Sequence, residues 1–458
     1  MGSSSPLKDH YFSSFNRSKL ITWSLYTLVS FAFIRFYFYP YFSLVSTQDQ
    51  FLTTNSRVIS TTSTPSSSSS SSSTSHVSPP PPYSQEEGKP HVESTTCDYT
   101  NGEWVQDKQG PMYNGTSCGT IKKGQNCMRH GRPDTGYLYW RWKPKDCQVP
   151  RFEPTIFLHM LKNKHVAFVG DSMARNQLES LLCMLSTFSA PNLVYRNGED
   201  DKFRRWNFPS HNVTVSVYWS PFLVKGIEKS TNGGPDYNRL FLDSVDERWA
   251  SDLGSIDMVV LSIGHWFLHP AAYFDGDKVL GCHVCTGMNY TEIGFYGVYA
   301  KAMETTLKAI MKRRGSRVGS DSNGAIDVIV TTFTPAHFEG EWDKPGACSK
   351  TKPYKQGEID LINMDAEMRK SELDVVKVAK KKAKRFKNLR LEAVDVTKLA
   401  LMRPDGHPGP YMNPHPFANG VGERVQNDCV HWCLPGPIDT WNEILLDVIK
   451  RWNGQFRH

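Results

Sequence analysis

The sequence predicts an α/β fold in which helices cover both faces of a central, mostly parallel sheet. Short apolar runs are typical of buried strands, and they lie at 165–169, 256–263, 327–333 and 389–394. Longer amphipathic segments are typical of helices, and they separate the strands at 173–185, 296–314 and 364–387. Strands that alternate with helices in this way favour a parallel sheet.

The composition divides the chain into two unlike parts. Of the 458 residues, 39% are hydrophobic and 22% are charged, a balance that excludes disorder along the whole chain. The net charge of +7 is mild for this length, and we expect no nucleic-acid partner. All ten cysteines lie between Cys97 and Cys433. Folding into a stable domain is therefore expected to begin near Cys97.

The residues before Cys97 are typical of a membrane anchor and a stalk. A basic head at 1–19 precedes an apolar and aromatic segment at 20–45, which is long enough to cross a bilayer if Arg35 reaches an interface. A cleaved signal peptide is the alternative, but no clear small-residue cleavage site follows. The basic head predicts type II topology. The Ser/Pro-rich segment at 46–96 is expected to be a disordered stalk.

Residues 97–458 carry the signs of an oxidising, secretory compartment. Sequons predict glycosylation at Asn114, Asn212 and Asn289. We expect disulfides among Cys97, Cys118, Cys127, Cys147, Cys183, Cys282, Cys285, Cys348, Cys429 and Cys433. A zinc site at Cys282-x-x-Cys285 is the alternative, but no second CxxC accompanies it, and we expect no metal. We predict a disulfide-stapled subdomain at 97–150 and a catalytic domain at 151–458.

A candidate nucleophile follows the first predicted strand. The strand ends at Gly170, and Asp171 and Ser172 then begin an amphipathic helix. In an open α/β sheet, ligands bind at the carboxyl ends of the strands. Backbone N–H groups at a helix N-terminus also stabilise a developing anion. This position suits a serine nucleophile beside its oxyanion hole. The alternative is that Asp171 or Ser172 is only the helix N-cap.

A serine nucleophile needs a base, and the base needs a group that orients it. Asp428 and His431 are three residues apart, so that one turn can present both side chains together. His431 is the predicted base, and the flanking Cys429 and Cys433 could fix its loop through disulfides to distant parts. A buried structural pair is the alternative. His407, in a Pro- and Gly-rich loop, is a rival base that could instead contact substrate.

Taken together, these residues resemble the plant trichome-birefringence-like family of cell-wall polysaccharide O-acetyltransferases. Gly170-Asp171-Ser172-Met173 is similar to the GDS block of that family, and Asp428-x-x-His431 is similar to its DxxH block. The cysteine-rich stretch at 97–147 is similar to the family's N-terminal domain. Further similar stretches lie at 218–222, 264–266, 403–408 and 433–442. The resemblance covers essentially all of residues 97–458.

The resemblance implies an SGNH/GDSL-like three-layer domain with Ser172, His431 and Asp428 as its catalytic triad. SGNH hydrolases take one oxyanion donor from an asparagine in their third block, and the comparable stretch at 262–266 has none. The candidate oxyanion donors or substrate contacts are the Ser172 N–H, Gly170, Asp171, Arg175, Asn176, Asn197, Gly198, Gly264, His265, Trp266 and His407. Cys183 is expected to pair with one of the four N-terminal cysteines.

The activity implied by the resemblance is a two-step acetyl transfer through an acetyl-Ser172 intermediate. The acceptor would be a wall polysaccharide, and the stretch at 281–289 resembles the branch that acts on hemicelluloses, with xyloglucan first and mannan or xylan next. No bound cofactor is expected, but an acetyl donor is required as co-substrate, either acetyl-CoA or an acetylated carrier. The implied location is the Golgi membrane, where other membrane proteins could supply the donor. The alternatives are an acetylesterase and a non-catalytic polysaccharide-binding protein.

Overall fold

The computed structural model describes residues 97–198, 202–229, 235–315 and 324–454. The predicted cytosolic head (1–19), anchor (20–45) and stalk (46–96) lie outside the described residues. Within the described ranges, no helix is both long enough and apolar enough to cross a membrane.

Strands and helices alternate along most of the described chain. The strands are β1 (Gly102–Gln106), β2 (Trp140–Pro144), β3 (His165–Gly170), β4 (Asn192–Asn197), β5 (Phe203–Phe208), β6 (Val213–Trp219), β7 (Val224–Ile227), β8 (Asn238–Val245), β9 (Met258–Ser262), β10 (Ala271–Asp275), β11 (Lys278–His283), β12 (Ile326–Thr331) and β13 (Leu389–Val394). The α-helices are α1 (Pro154–Met160), α2 (Ser172–Ser186), α3 (Glu247–Ala250), α4 (Tyr296–Arg314), α5 (Asn363–Ala383), α6 (Thr397–Leu401) and α7 (Asp439–Gly454).

Seven of these strands form the central sheet, in the order β13-β12-β9-β3-β6-β5-β4. The strands from β13 to β6 pair in parallel, and β5 and β4 add two antiparallel strands at one edge. Every residue of β3, β9 and β12 is buried. Burial on both faces accounts for the continuous apolar runs in these strands. The prediction of a mostly parallel sheet is confirmed.

Two hydrophobic cores lie on opposite faces of this sheet. Along β3, Val166 and Phe168 pack into one core together with residues of α2 and α7. Ala167 and Val169 pack into the other core, which contains residues of α4 and α5. The alternation follows from the period-two orientation of side chains along a strand. The predicted three-layer arrangement is therefore confirmed. A smaller sheet, of order β11-β10-β8-β7, extends the second core and was not predicted.

All ten cysteines form disulfides, as expected for an oxidising compartment. The pairs are Cys97–Cys147, Cys118–Cys183, Cys127–Cys433, Cys282–Cys285 and Cys348–Cys429. The prediction that Cys183 pairs with an N-terminal cysteine is confirmed. The zinc alternative fails because Cys282 and Cys285 bond to each other. Within the described residues, no cluster of His, Cys, Asp or Glu is suited to hold a metal ion.

Replacing Cys127 and Cys433 together by alanine is expected to lower the free energy of unfolding by about 2–5 kcal/mol, because their disulfide closes a long loop. The bonded cysteines are 306 residues apart in this pair and 3 residues apart in Cys282–Cys285. The matched double alanine variant of Cys282 and Cys285 should therefore lose much less. Urea unfolding measures both variants, and equal losses would contradict this explanation.

Candidate active site

Ser172 lies at the sharp turn from β3 into α2. Gly170 ends β3 and approaches the neighbouring strand so closely that a Cβ atom there would lie 1.8 Å from the carbonyl oxygen of Ser262. Only glycine fits this position. The Asp171 N–H donates to the same carbonyl oxygen at 3.2 Å. The turn therefore brings the backbone around Ser172 against the carboxyl end of β9.

Asp171, and not Ser172, is the N-cap of α2. Its carboxylate accepts hydrogen bonds from the Met173 N–H at 2.9 Å and from the Gly264 N–H at 3.0 Å. Burial raises the pKa of Asp171 to about 6, although these hydrogen bonds and nearby His431 act against the increase. Because Asp171 caps the helix, the half-buried Ser172 becomes its first residue. Ser172 is therefore not the helix cap, and it stays the candidate nucleophile.

Asp428 and His431 form the predicted pair on a loop before α7. Oδ2 of Asp428 accepts a hydrogen bond from Nδ1 of His431 at 2.7 Å. Oδ1 accepts from the N–H groups of Val430 and His431, at 3.1 and 2.9 Å. Although burial opposes it, the His431 charge and these hydrogen bonds hold the pKa of Asp428 well below its usual range. Asp428 is therefore a carboxylate that orients His431.

The second ring nitrogen of His431 is open. Its Nε2 atom is buried and has no hydrogen-bond partner among the described residues. When His431 is neutral and keeps its hydrogen on Nδ1, in the hydrogen bond to Asp428, Nε2 is the lone-pair nitrogen that can accept another proton. This protonation pattern is the one that a general base in a Ser-His-Asp triad requires.

Asn176 joins the serine helix to the histidine loop. It lies one helical turn after Ser172 and is fully buried. Its Oδ1 accepts from the Trp432 N–H at 2.7 Å, and its Nδ2 donates to the Trp432 carbonyl oxygen at 3.3 Å. Both ends of the amide therefore bind the residue next to His431. Since this contact uses one of the two Nδ2 hydrogens, the prediction that Asn176 is an oxyanion donor depends on the second hydrogen.

Arg175 remains at the edge of the site where an oxyanion would form. Its side chain is only 7% exposed, and its guanidinium carbon lies 5.5 Å from the centre of the Trp219 ring. Trp219 ends β6 and is paired with Gly170 across the sheet. Trp266 packs edge-on against Trp219, with ring centres 5.3 Å apart, and stays half-buried. An aromatic wall thus borders the carboxyl end of β3.

The other candidates around β9 serve the scaffold. The Gly264 N–H is already donated to Asp171. Nε2 of His265 donates to the Thr334 carbonyl oxygen at 3.0 Å, and burial lowers the pKa of this histidine to about 4. His265 is therefore neutral near pH 7 and has one nitrogen committed to the backbone.

His407 lies behind the triad loop and is only 3% exposed. Its Nδ1 donates to the His431 carbonyl oxygen at 2.7 Å, and its Nε2 contacts Nδ1 of His337 at 2.7 Å. Both ring nitrogens of His407 are thus used within the protein. This favours a structural role for His407, rather than a role as the base or as a substrate contact.

Asn197 ends β4, the exposed edge strand of the central sheet, and Gly198 follows it. The Gly198 N–H donates to Oδ1 of Asn197 at 2.7 Å. Three strand spacings separate β4 from β3, which amounts to about 14 Å. The structure therefore does not bring these two residues together with the triad loop.

Several supporting contacts join the triad loop to distant parts of the chain. The disulfides Cys348–Cys429 and Cys127–Cys433 fix the triad loop on both sides of His431, as the sequence had suggested without giving the partners. Arg132 of the N-terminal subdomain donates to the backbone carbonyl oxygen of His407 at 2.9 Å. Such contacts join residues hundreds of positions apart, and local spacing does not reveal them.

A serine at a strand-to-helix turn, on a helix that Asn176 joins to the loop with the Asp–His pair, defines an esterase-like acyl-transfer site on an SGNH-type sheet. Residues 149–448 match the profile of the GDSL/SGNH-like acyl-esterase family found in Pmr5 and Cas1p. Residues 95–148 match the PMR5 N-terminal domain. The chain therefore belongs to this acyl-esterase family, in its trichome-birefringence-like group.

Curated relatives resemble the chain over most of its length. Xyloglucan O-acetyltransferase 1 of Populus trichocarpa is 62% identical over 457 residues, which are 99% of this chain and 99% of that protein. Xyloglucan O-acetyltransferase 1 of Arabidopsis thaliana is 58% identical, over 81% of this chain and 84% of the relative. Protein trichome birefringence-like 25 of Arabidopsis thaliana is 43% identical, over 78% of this chain and 77% of the relative.

Replacing Asn176 by alanine is expected to lower kcat by about 10- to 100-fold, because the His431 loop loses its register against Ser172. A stability loss of about 1–3 kcal/mol should accompany it, since buried backbone groups of Trp432 lose their partners. Asn442→Ala is the matched control: Asn442 is also fully buried and bonds to α2, at Gln177 and Ser180.

Thermal unfolding and kcat are measured for both variants. Asn442→Ala should lose similar stability and keep most of its activity. If both variants lose activity in proportion to stability, Asn176 has no specific part in positioning His431.

Proposed function

We propose that this protein is an O-acetyltransferase that moves an acetyl group, through acetyl-Ser172, onto hydroxyl groups of a plant cell-wall polysaccharide. The observation that carries the proposal is the Asp428–His431 pair with an open Nε2, held to the serine helix by Asn176. Xyloglucan is the proposed acceptor, with mannan and xylan next. The similarity to proteins named xyloglucan O-acetyltransferases supports this order.

In the first step, Nε2 of His431 takes the proton of the Ser172 hydroxyl while Oγ attacks the acetyl carbonyl carbon of the donor. Asp428 stabilises the imidazolium that forms. The tetrahedral oxyanion would lie at the N-terminus of α2, where we expect the Ser172 N–H and the Arg175 guanidinium to stabilise it. The oxyanion then collapses to acetyl-Ser172, and His431 gives its proton to the leaving group.

In the second step, a sugar hydroxyl replaces the departed donor. His431 removes its proton, and the sugar oxygen attacks the acetyl carbon. The second tetrahedral intermediate collapses to the acetylated sugar, while His431 returns the proton to Ser172 Oγ. We propose acetyl-CoA or an acetylated carrier as donor, delivered through a membrane protein. Neither donor requires a resident cofactor.

An acetylesterase is the second candidate, since the matching family profile is that of acyl-esterases. Water would then attack acetyl-Ser172 in place of the sugar. Both reactions share the first step, so only the acceptor distinguishes them. The names of the relatives favour transfer. An assay with a labelled acetyl donor and several acceptors distinguishes transfer from hydrolysis.

Ser172→Ala is expected to reduce acetyl transfer by at least about 10³-fold, because the covalent intermediate no longer forms. The purified protein is incubated with an isotopically labelled acetyl donor and with xyloglucan, mannan or xylan oligosaccharides. Mass spectrometry should detect acetyl-Ser172 without acceptor, and its loss with transfer when xyloglucan is added. Ser186→Ala, at the other end of α2, is the matched control and should behave as wild type.

Release of acetate from acetylated xyloglucan without transfer to any acceptor would establish the esterase instead. Undiminished transfer by Ser172→Ala would overturn the covalent mechanism.

We also propose that the chain is a type II protein of the Golgi membrane, with residues 97–458 in the lumen. The five disulfides support an oxidising compartment. The predicted glycosylation sites Asn114, Asn212 and Asn289 are all exposed, as an enzyme that attaches glycans requires. The basic head before an apolar stretch supports the orientation.

In plant microsomes, each of Asn114→Gln, Asn212→Gln and Asn289→Gln is expected to remove one endoglycosidase-sensitive step in gel mobility. The domain after Cys97 should resist protease until detergent opens the vesicles, and alkaline carbonate should leave the chain in the membrane. An unglycosylated, protease-accessible chain would contradict the proposed topology.

A further inference from the structure

Two aromatic side chains stand out of the long loop between β12 and α5. Trp342 is 53% exposed, which makes it the most exposed aromatic side chain in the described part of the chain, and Phe338 is 45% exposed. Half-exposed rings of this size leave a large apolar surface in water. Exposed aromatic surface on an otherwise polar loop is typical of a binding site.

This aromatic pair is fixed to the segment that carries the triad. The Trp342 carbonyl oxygen accepts from the N–H and the Nδ2 of Asn427, at 2.9 and 3.1 Å. The N–H of His337, next to Phe338, donates to the Cys429 carbonyl oxygen at 3.0 Å. Asn427 and Cys429 are the two neighbours of Asp428. The loop between β12 and α5 therefore forms hydrogen bonds with the residues on both sides of Asp428.

A covalent bond and a further hydrogen bond reinforce this attachment. Cys348 forms a disulfide with Cys429, and the Val425 N–H donates to the Asp343 carbonyl oxygen at 2.9 Å. The backbone that carries the rings is thus ordered before any ligand binds. The entropy cost of ordering this loop when a ligand stacks on the rings is therefore small, which favours binding.

Two of the three acidic side chains beside the rings form ion pairs, and the third, Glu341, has no ion-pair partner among the described residues. Asp343, next to Trp342, accepts from Arg424 at 2.7 Å. Glu339, next to Phe338, forms an ion pair with Lys350. These pairs favour a neutral ligand over an anion. The C–H faces of pyranose rings are neutral and pack well on aromatic faces, whereas their hydroxyl rims suit the polar surroundings.

We propose that Phe338 and Trp342 form an acceptor subsite that stacks against neutral pyranose rings of a polysaccharide while one of its hydroxyl groups lies at Ser172. This inference rests on the proposed acetyltransferase function and assigns its acceptor class to named residues. The subsite acts in the second step only, because the acetyl donor reacts with Ser172 before the acceptor is needed.

Trp342→Ala is expected to raise the KM for xyloglucan oligosaccharides about tenfold and to leave the rate of Ser172 acetylation unchanged. Phe338→Ala should act in the same direction, and Trp342→Phe should restore most of the loss. Acetylation is measured as the burst of leaving group from a chromogenic acetyl ester without acceptor. The effect should grow with oligosaccharide length, since a longer chain reaches both rings.

Phe188→Ala is the matched control, since Phe188 is 51% exposed and lies beyond the far end of α2, about 24 Å along the helix axis from Ser172. It should leave the acceptor KM unchanged. An unchanged KM in Trp342→Ala and Phe338→Ala would overturn the subsite. So would an equal loss of the acetylation burst, which would indicate a distorted triad loop.

Sedimentation of wild type and Trp342→Ala tests whether the rings contact another protein chain instead. A change of oligomeric state without a change in acceptor KM would overturn the glycan assignment. The proposed function fails separately, if Ser172→Ala retains transfer or if wild type releases acetate without transferring it to any acceptor. The two failures are therefore distinguishable in the same set of variants.

Discussion

The active site depends on one buried amide. The nucleophile begins a helix that follows β3, whereas the base lies on a loop some 260 residues later in the chain, and their relative position must be set to a fraction of an ångström. Asn176 sets it, because the helix carries its side chain on the same face as Ser172 and the amide accepts from and donates to one peptide group, that of Trp432. A hydroxyl or an apolar side chain at this position would satisfy only part of that peptide group, or none of it.

A polar scaffold supports the loop from behind. Arg403 and Asp405 form a fully buried ion pair, which removes two charges from solvent and fixes the turn that precedes His407. His407 then donates to the carbonyl oxygen of His431, and Gly409 exchanges backbone hydrogen bonds with Asp428. Such networks are stable only when every member has its partner. The stretch at 403–408 therefore holds the base in place and leaves the chemistry to the triad.

The sequence predicted the elements that obey local rules. Continuous apolar runs identified β3, β9 and β12 because most positions of a strand buried on both faces are apolar. The strand β13 was also predicted, although Arg390 and Glu392 interrupt its apolar run. The sequence did not predict β6, in which Thr214 and Ser216 interrupt the apolar pattern. The triad residues could be proposed because their spacing is local, within three residues for Asp428 and His431. The structural roles of Asn176 and His407 could not be predicted, because each role depends on a partner from a distant part of the chain.

The Cys127–Cys433 bond has a consequence for biosynthesis. Three hundred and six residues separate its two cysteines, so a ribosome must complete nearly the whole catalytic domain after Cys127 has emerged. The partners of Cys97 and Cys118 are made much earlier, because Cys97 pairs with Cys147 and Cys118 pairs with Cys183. Cys127 therefore has no native partner for most of translation. The loop that carries the base is locked only at the end of synthesis, so that a partly made chain is inactive.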